Sequence, residues 1–254
     1  MIDIHCHILP GLDDGSQHLT DSIAMARAAV EEGITKIVAT PHHQNGTYDN
    51  QKDEIVDHTE RLNKELDALH IPLTIIPGQE VRIHGELLQG IENDEILPIH
   101  GTSCLLIEFP SGHVPRYAEK MLFDLQLKGI TPIIVHPERN REINENPDLL
   151  YTFVKKGALT QVTAASLTGQ FGKKIRNFSL DLVEAQLTHF IASDAHNTTS
   201  RGFQLLNGIN VLEKEFGSQA AYYYRENAEL LISGQTVFAK EPSRIKKKKF
   251  LGIF

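Results

Sequence analysis

Seven short apolar runs, interspersed with helical patterns, limit what this chain of 254 residues can fold into. The runs are IDIHC (2–6), KIVAT (36–40), LTIIPG (73–78), CLLIEF (104–109), PIIVH (132–136), LTQVT (159–163) and HFIAS (189–193). Most are rich in Ile and Val, as expected for parallel strands covered on both faces. Helical patterns fit 21–33, 52–69, 114–129, 147–156, 173–187 and 202–216. Their ends carry signals: Asp21 as a cap, Pro115 in a first turn, Gly33 and Gly129 as stops. Repeated βαβ units imply an α/β fold with a parallel sheet, either doubly wound or closed into a barrel. The sequence holds no G-x-G-x-x-G or P-loop that would favour a nucleotide-binding sheet.

The residues that end these runs are the second constraint. The first run gives His5 and His7, followed by Asp14. Later ends give His42, Glu80, Glu108, His136, and the pair Asp194 and His196. Alternation along the first strand predicts Ile2, Ile4 and Cys6 on one face and Asp3, His5 and His7 on the other. In a barrel the C-terminal strand ends converge on one mouth, so nine metal-type side chains would meet there. The set mixes imidazole and carboxylate without thiolate, which suits Mn²⁺, Zn²⁺ or Fe²⁺. Nine ligands exceed the needs of one ion and fit two or three ions sharing carboxylates, an arrangement suited to phosphoryl transfer.

Charge and composition exclude several classes. The chain carries a formal −8, with +4 on residues 241–254 and therefore −12 on the other 240. An acidic body argues against nucleic-acid binding, which needs a basic footprint. Apolar runs are too short for a transmembrane helix, and no secretory signal opens the chain. Cys6 and Cys104 read as buried strand residues of a reduced, cytoplasmic protein. Residues 1–240 read as one catalytic domain and 241–254 as a basic–apolar tail. Four lysines beside Phe250, Leu251, Ile253 and Phe254 suggest weak contact with the inner membrane surface.

The order HxH, lone His, two carboxylates, lone His and DxH resembles the polymerase and histidinol phosphatase (PHP) superfamily. DIHCHILPGLDDG, ATPHH, PGQEVRI, LIEFP, HPERNREI and SDAHN together resemble one branch of it, the bacterial manganese-dependent protein-tyrosine phosphatases of the YwqE/CpsB type. The resemblance spans nearly the whole chain. It implies a PHP-type distorted (β/α)7 barrel with three metal ions, expected to be Mn²⁺, with Fe or Zn as alternatives. By position it assigns His5, His7, Glu80 and Asp194 to one ion, Glu80, Glu108 and His136 to a second, and Asp14, His42 and His196 to a third. It places phosphate-contacting arginines at Arg139 and Arg201, whose planar fork matches phosphate oxygens. Arg82 and Arg141 are weaker candidates. His43, His84, His100 and His113 receive no ligand role, and Asp13 could support a ligand.

A cysteine-dependent phosphatase needs an Arg six residues after its Cys, but those positions hold Leu12 and Pro110. The expected nucleophile is therefore a metal-bridging hydroxide. The resemblance implies a phosphotyrosine substrate on a bacterial tyrosine autokinase of polysaccharide export. Two other readings stay open: histidinol-phosphate phosphatase, and a metal-stabilised docking module that binds a kinase without turnover.

Overall fold

The computed structural model describes residues 1–99 and 101–245. His100 and the lysine-rich stretch 246–254 lie outside the described residues, and with them the membrane-contact expectation.

Among the described residues, nine strands form two parallel sheets. The first sheet orders β1 (Ile2–Cys6), β2 (Lys36–Ala39) and β4 (Thr74–Pro77). The second runs β3 (His42–His43), β5 (Glu80–Arg82), β6 (Cys104–Glu108), β7 (Thr131–Val135), β8 (Leu159–Thr163) and β9 (Phe190–Ala192). The helices between them are α1 (Leu19–Glu31), α2 (Lys52–Ala68), α3 (Leu87–Glu92), α4 (Ala118–Leu127), α5 (Arg141–Glu145), α6 (Asp148–Lys155), α7 (Ala164–Thr168) and α8 (Lys173–Glu184). Two more, α9 (Leu205–Phe216) and α10 (Ser218–Ile232), follow β9. The α/β class and the parallel pairing match the sequence expectation. The expected barrel is not one closed sheet among the described residues. The first and last strands meet through a single parallel bridge, Cys6 to Ala195. Two 2.9 Å backbone bonds flank it, Asp194 N–H to the His5 carbonyl and His7 N–H to the Ala195 carbonyl.

Two expected strands are broken, and the breaks matter. The run at 36–40 stops at Ala39 and resumes at His42, across Pro41, which has no N–H to give a ladder. The run at 73–78 stops at Pro77 and resumes at Glu80. Each strand thereby crosses from the first sheet to the second, and the resumed pieces pair with His42 opposite Glu80.

The strands bury both faces. Against the helices lies the larger core cluster, with Ile37, Val81, Leu105, Ile107, Ile134, Val162 and Ile191. On the face enclosed by the sheets lies a smaller one: Ile4, Val38, Leu106, Ile133, Val135, Phe190 and Ala192, joined by Ala228 and Leu231 of α10. Strict alternation fails in β1. Ile4 belongs to the smaller cluster and Cys6 to the larger, because the pairing register shifts between Asp3 and Cys6. That irregularity lets His5 follow Ile4 onto the enclosed side. Asp21 also moves from its expected place. The helix begins at Leu19, and Asp21 accepts from the His18 N–H (2.9 Å) from within the first turn. Helix α10 follows Gly217 without a periodic signal strong enough to predict it. Residues 241–245 lie on the body: Ser243 N–H donates to the Ala185 carbonyl (2.8 Å), and Arg244 pairs with Asp148 (2.6 Å). No helix among the described residues is long and apolar enough to cross a membrane.

His189 ties β8, β9 and α10 together. Its Nδ1 accepts from the Thr160 N–H at 3.1 Å, and its carbonyl accepts from Asn227 at 3.0 Å. Burial holds the imidazole down to about 4. The unfolded chain, with a pKa of about 6.5, binds this proton more readily. Stability should therefore be fully present above about pH 6.5 and fall by on the order of 3 kcal/mol as pH drops toward 4. His189→Asn offers a non-titrating acceptor and should flatten that part of the slope relative to the parent. Urea unfolding midpoints of both proteins at about pH 7.5 and about pH 5 check this.

Candidate metal centre

All nine expected ligands gather at one end of the enclosed face, next to the loops that follow the strands. Glu80 is their hub, with no exposed surface. Its Oε2 lies 3.3 Å from His5 Nε2, 3.4 Å from His7 Nε2 and 2.9 Å from His42 Nδ1. Its Oε1 lies 2.9 Å from His136 Nε2. Asp194 Oδ1 faces His7 Nε2 (3.4 Å), His5 Nε2 (3.6 Å) and His196 Nδ1 (3.6 Å). Asp14 Oδ1 lies 3.4 Å from both His42 and His196. Glu108 reaches His42 Nδ1 at 3.9 Å and takes a 2.9 Å bond from Arg82 Nε. Ligand atoms within 4.8 Å of one another form three groups: His5, His7 and Glu80; His7, Asp14, His42 and His196; and His42, Glu80 and Glu108. Relative to the assignment implied by resemblance, His7 also neighbours the Asp14 group, and His42 stands beside Glu80 and Glu108 where His136 was expected.

Backbone geometry aims two of these side chains. His136 (φ 35°) and Asp194 (φ 54°) occupy the left-handed region, unusual for residues with a Cβ and frequent at functional sites. Glu138 secures the turn after His136. Its Oε1 accepts from the Thr163 N–H (3.0 Å) and the Ser166 hydroxyl (2.6 Å).

Partners behind the ligands decide what the ligand atoms can do. His5 Nδ1 bonds Gln161 Oε1 at 2.9 Å, and His7 Nδ1 bonds Asp13 Oδ2 at 2.6 Å. Each Nδ1 is thus the natural place for a proton, leaving each Nε2 with a lone pair. Yet the two Nε2 atoms face each other at 3.2 Å, beside Glu80 and Asp194. Four acceptors meeting in a buried space require a cation or extra protons between them. Glu80 Oε2, His42 Nδ1 and His196 Nε2 are moreover buried without a hydrogen bond. The donor set therefore fits divalent ions.

Electrostatics without ions tells the same story. Burial pushes Glu80 up, but His42 and His5 overcome it and hold the carboxylate well below its usual range. Burial likewise opposes, and Arg139 and the histidines outweigh it, at Asp194, also held well below. Asp14 is lowered by His196 and His42. Burial lowers His42, yet Glu80 and Asp14 lift it to about 10. Burial and neighbouring His7 hold His196 down to about 4.

The arginines stand one carboxylate away. Arg139 pairs with Asp194 Oδ2. Arg201 lies 3.3 Å from Asp194 Oδ2 and 3.4 Å from Asp14 Oδ2. Asp14 thus turns Oδ1 to histidines and Oδ2 to Arg201, and Asp194 turns Oδ1 to histidines and to Arg201 (3.4 Å) and Oδ2 to both arginines. Sequence reasoning missed Gln161 and Glu138, which carry no metal-type signal at a strand end. It also placed Asp3 with His5 and His7. Asp3 instead joins the edges of the sheets, accepting from Ser193 N–H (2.9 Å) and the Ser193 hydroxyl. His43 lies apart from the cluster, 3.0 Å from Asp49. His84 stacks edge-on against His43, and His113 lends its carbonyl to Asn140. Arg141 bonds through its backbone to Ser111.

Comparisons with known proteins agree on one family. The family described as capsular polysaccharide synthesis, CpsB/CapC, matches residues 1–233. The chain is 55% identical over 254 residues to tyrosine-protein phosphatase YwqE of Bacillus subtilis (strain 168), covering 100% of both. It is 26% identical over 247 residues to tyrosine-protein phosphatase CpsB of Streptococcus agalactiae serotype III (strain NEM316), covering 93% of this chain and 100% of that one. A crystal structure from work on YwqE of B. subtilis and CpsB of Streptococcus pneumoniae, described as metal-dependent tyrosine phosphatases, superposes with a TM-score of 0.95. That match has 55% identity and covers 97% of this chain and 100% of the other.

A Cβ added to Gly15 would stand 2.1 Å from the His7 carbonyl oxygen. Gly15→Ala must therefore lift the loop bearing Asp13 and Asp14 off the site. It should keep the fold, by circular dichroism, and weaken divalent-metal binding to chelator-stripped protein by about tenfold or more, read by calorimetric titration.

Proposed function

The chain belongs to the CpsB/CapC family of capsular polysaccharide synthesis, and from that premise we propose that it is a metal-dependent protein-tyrosine phosphatase. The observation that carries the reading is the division of Asp14 and Asp194, each with one oxygen on the histidine cluster and the other on an arginine. A phosphoryl group beside such carboxylates meets metal charge and guanidinium together. His5, His7, Glu80 and Asp194, then Glu80, Glu108 and His136, then Asp14, His42 and His196, would hold three Mn²⁺ ions. Bound ions supply charge for phosphoryl oxygens and lower the pKa of water enough to make a nucleophile near neutral pH.

The chain's own side chains do the rest. Arg139 and Arg201 orient the phosphoryl group and counter the charge that grows on its equatorial oxygens. Gln161 and Asp13 hold His5 and His7 with Nε2 directed inward. The apolar layer under the site, Val135 and Ala192 included, keeps water from its floor. The tyrosine side chain leaves as a phenolate with a conjugate-acid pKa of about 10, so a strong general acid is not required. A thiol nucleophile does not fit. Cys6 is fully buried with its thiol on the Ala195 carbonyl (3.5 Å), and burial raises Cys104 to about 11.

The two sheets, joined at Cys6 and Ala195, support a distorted seven-stranded PHP-type barrel, with β2–β3 and β4–β5 each counting as one broken strand. The proposed substrate is a cytoplasmic phosphotyrosine protein, a bacterial tyrosine autokinase of polysaccharide export. Residues 1–240 would form the catalytic domain, with 241–254 its tail.

Mn²⁺-loaded protein should release phosphate from a phosphotyrosyl peptide, and chelation should abolish it. Arg201→Ala should lower kcat/KM by about a hundredfold. Its bound metal, counted by atomic absorption, should stay constant or rise, because a cation beside Asp14 and Asp194 is removed. Cys6→Ser and Cys104→Ser should retain activity. Loss of metal in Arg201→Ala would make that residue structural.

A further inference from the structure

Two aromatic rings pack on the outer side of the metal centre, and the chemistry above uses neither. Tyr48, in the connection between β3 and α2, lies parallel to His42, with centroids 6.3 Å apart and planes 11° apart. Phe171, in the turn between α7 and α8, lies against Arg139, whose guanidinium carbon is 5.5 Å from the ring centroid. Both are half-exposed. One ring adjoins the Asp14–His42 end of the arginine pair, and the other adjoins the Arg139 end. Arg201 reaches toward both ends through Asp14 and Asp194.

The arrangement is not explained by packing. A phenylalanine that served the core would be buried, as Phe190 and Phe109 are. His42 already has Glu80 and Asp14 to orient it, so Tyr48 adds nothing that the ions need. The space beside His136 and Arg139, lined also by Phe109, Ser111 and Pro137, holds only about 20 Å³. That is far too small for a benzene ring. A phosphomonoester bound by Arg139 and Arg201 must leave its alcohol portion at the rim, where these two rings stand.

We propose that Phe171 and Tyr48 form the subsite for the aryl ring of the substrate. The proposal rests on the tyrosine-phosphatase reading and adds to it the source of selectivity. An aryl phosphate would be recognised by ring contacts at an open rim, because the space beside His136 and Arg139 is too small to take its ring. The ester oxygen joins phosphorus directly to the ring, so a phosphoryl group held by the arginines brings that ring to side chains packed on the same arginine and on His42. Offset or edge-on ring contacts of this kind contribute modestly and depend on the partner being aromatic. Phe171 also adds a cation–π contact to Arg139, so its two roles must be separated.

The test uses full-length, Mn²⁺-loaded protein and two probes: a phosphotyrosyl peptide as substrate, and inorganic phosphate, which has no ring, as competitive inhibitor. Phe171→Ala and Tyr48→Ala should each lower kcat/KM on the peptide by about threefold to tenfold, mainly through KM. The inhibition constant of inorganic phosphate and the metal content should stay at parent values. A parallel weakening of inorganic phosphate would mean that the ring only braces Arg139, and would overturn the subsite. Parent-like kinetics in both variants would overturn it as well. Absence of peptide turnover by the parent chain would instead remove the activity reading itself, and the subsite with it.

Discussion

Everything in this molecule is arranged around a carboxylate that cannot be alone. Glu80 is fully buried, and four imidazoles lie within 3.4 Å of its oxygens. A bare carboxylate there would be expelled or protonated. With imidazolium or metal around it, the same burial strengthens the attraction, because little water competes. The breaks at Pro41 and at Pro77–Gly78 serve this contact. They carry two strands from one sheet to the other and set His42 opposite Glu80. A continuous pair of strands would keep the ladder and lose the hub.

The second economy is the double use of Asp14 and Asp194. A carboxylate has two oxygens with separate directions, and here both groups stand between histidines and arginines. In Asp14 histidines take one oxygen and Arg201 the other; in Asp194 the histidines face Oδ1, which Arg201 also reaches, and both arginines hold Oδ2. Geometry between the histidine cluster and the arginines is thus fixed by single rigid groups, with no flexible chain between. Such coupling is what a phosphoryl-transfer site needs, since its catalysis is mostly positioning and charge.

Much of this was legible in the amino-acid order. Each of the seven apolar runs holds a strand, two of which resume after a break as β3 and β5, and the His and carboxylate residues at the run ends are the ones that gather around Glu80. The sequence was less informative where backbone irregularity decides direction. Alternation predicted Cys6 and Ile4 on one face, and the register shift in β1 separates them. His136 would point to the helices by strand parity, as Ile134 does, and its left-handed backbone turns it to Glu80 instead. Gln161 and Glu138 escaped notice because amides and acids that serve as props carry no spacing signature. Helix α10 was missed because its buried face, Ala221, Tyr224, Ala228 and Leu231, mixes small and aromatic residues.

That helix completes the logic of the enclosed face. Ala228 and Leu231 join Ile4, Phe190 and Ala192 in the apolar cluster beneath the metal centre. The enclosed space therefore has a dry end and a charged end. Water cannot enter through the dry end to hydrate the buried carboxylates, so their compensation must come from the open end. Only cations reach them there: protons on the histidines, the guanidinium groups of Arg139 and Arg201, or metal ions. Protons are the weakest solution, since protonated His5 and His7 would bring their Nε2 hydrogens together at 3.2 Å. A divalent ion held by those nitrogens would satisfy both lone pairs and the adjoining carboxylates at once. Metal dependence thus follows from the packing of the apolar layer as much as from the ligands above it.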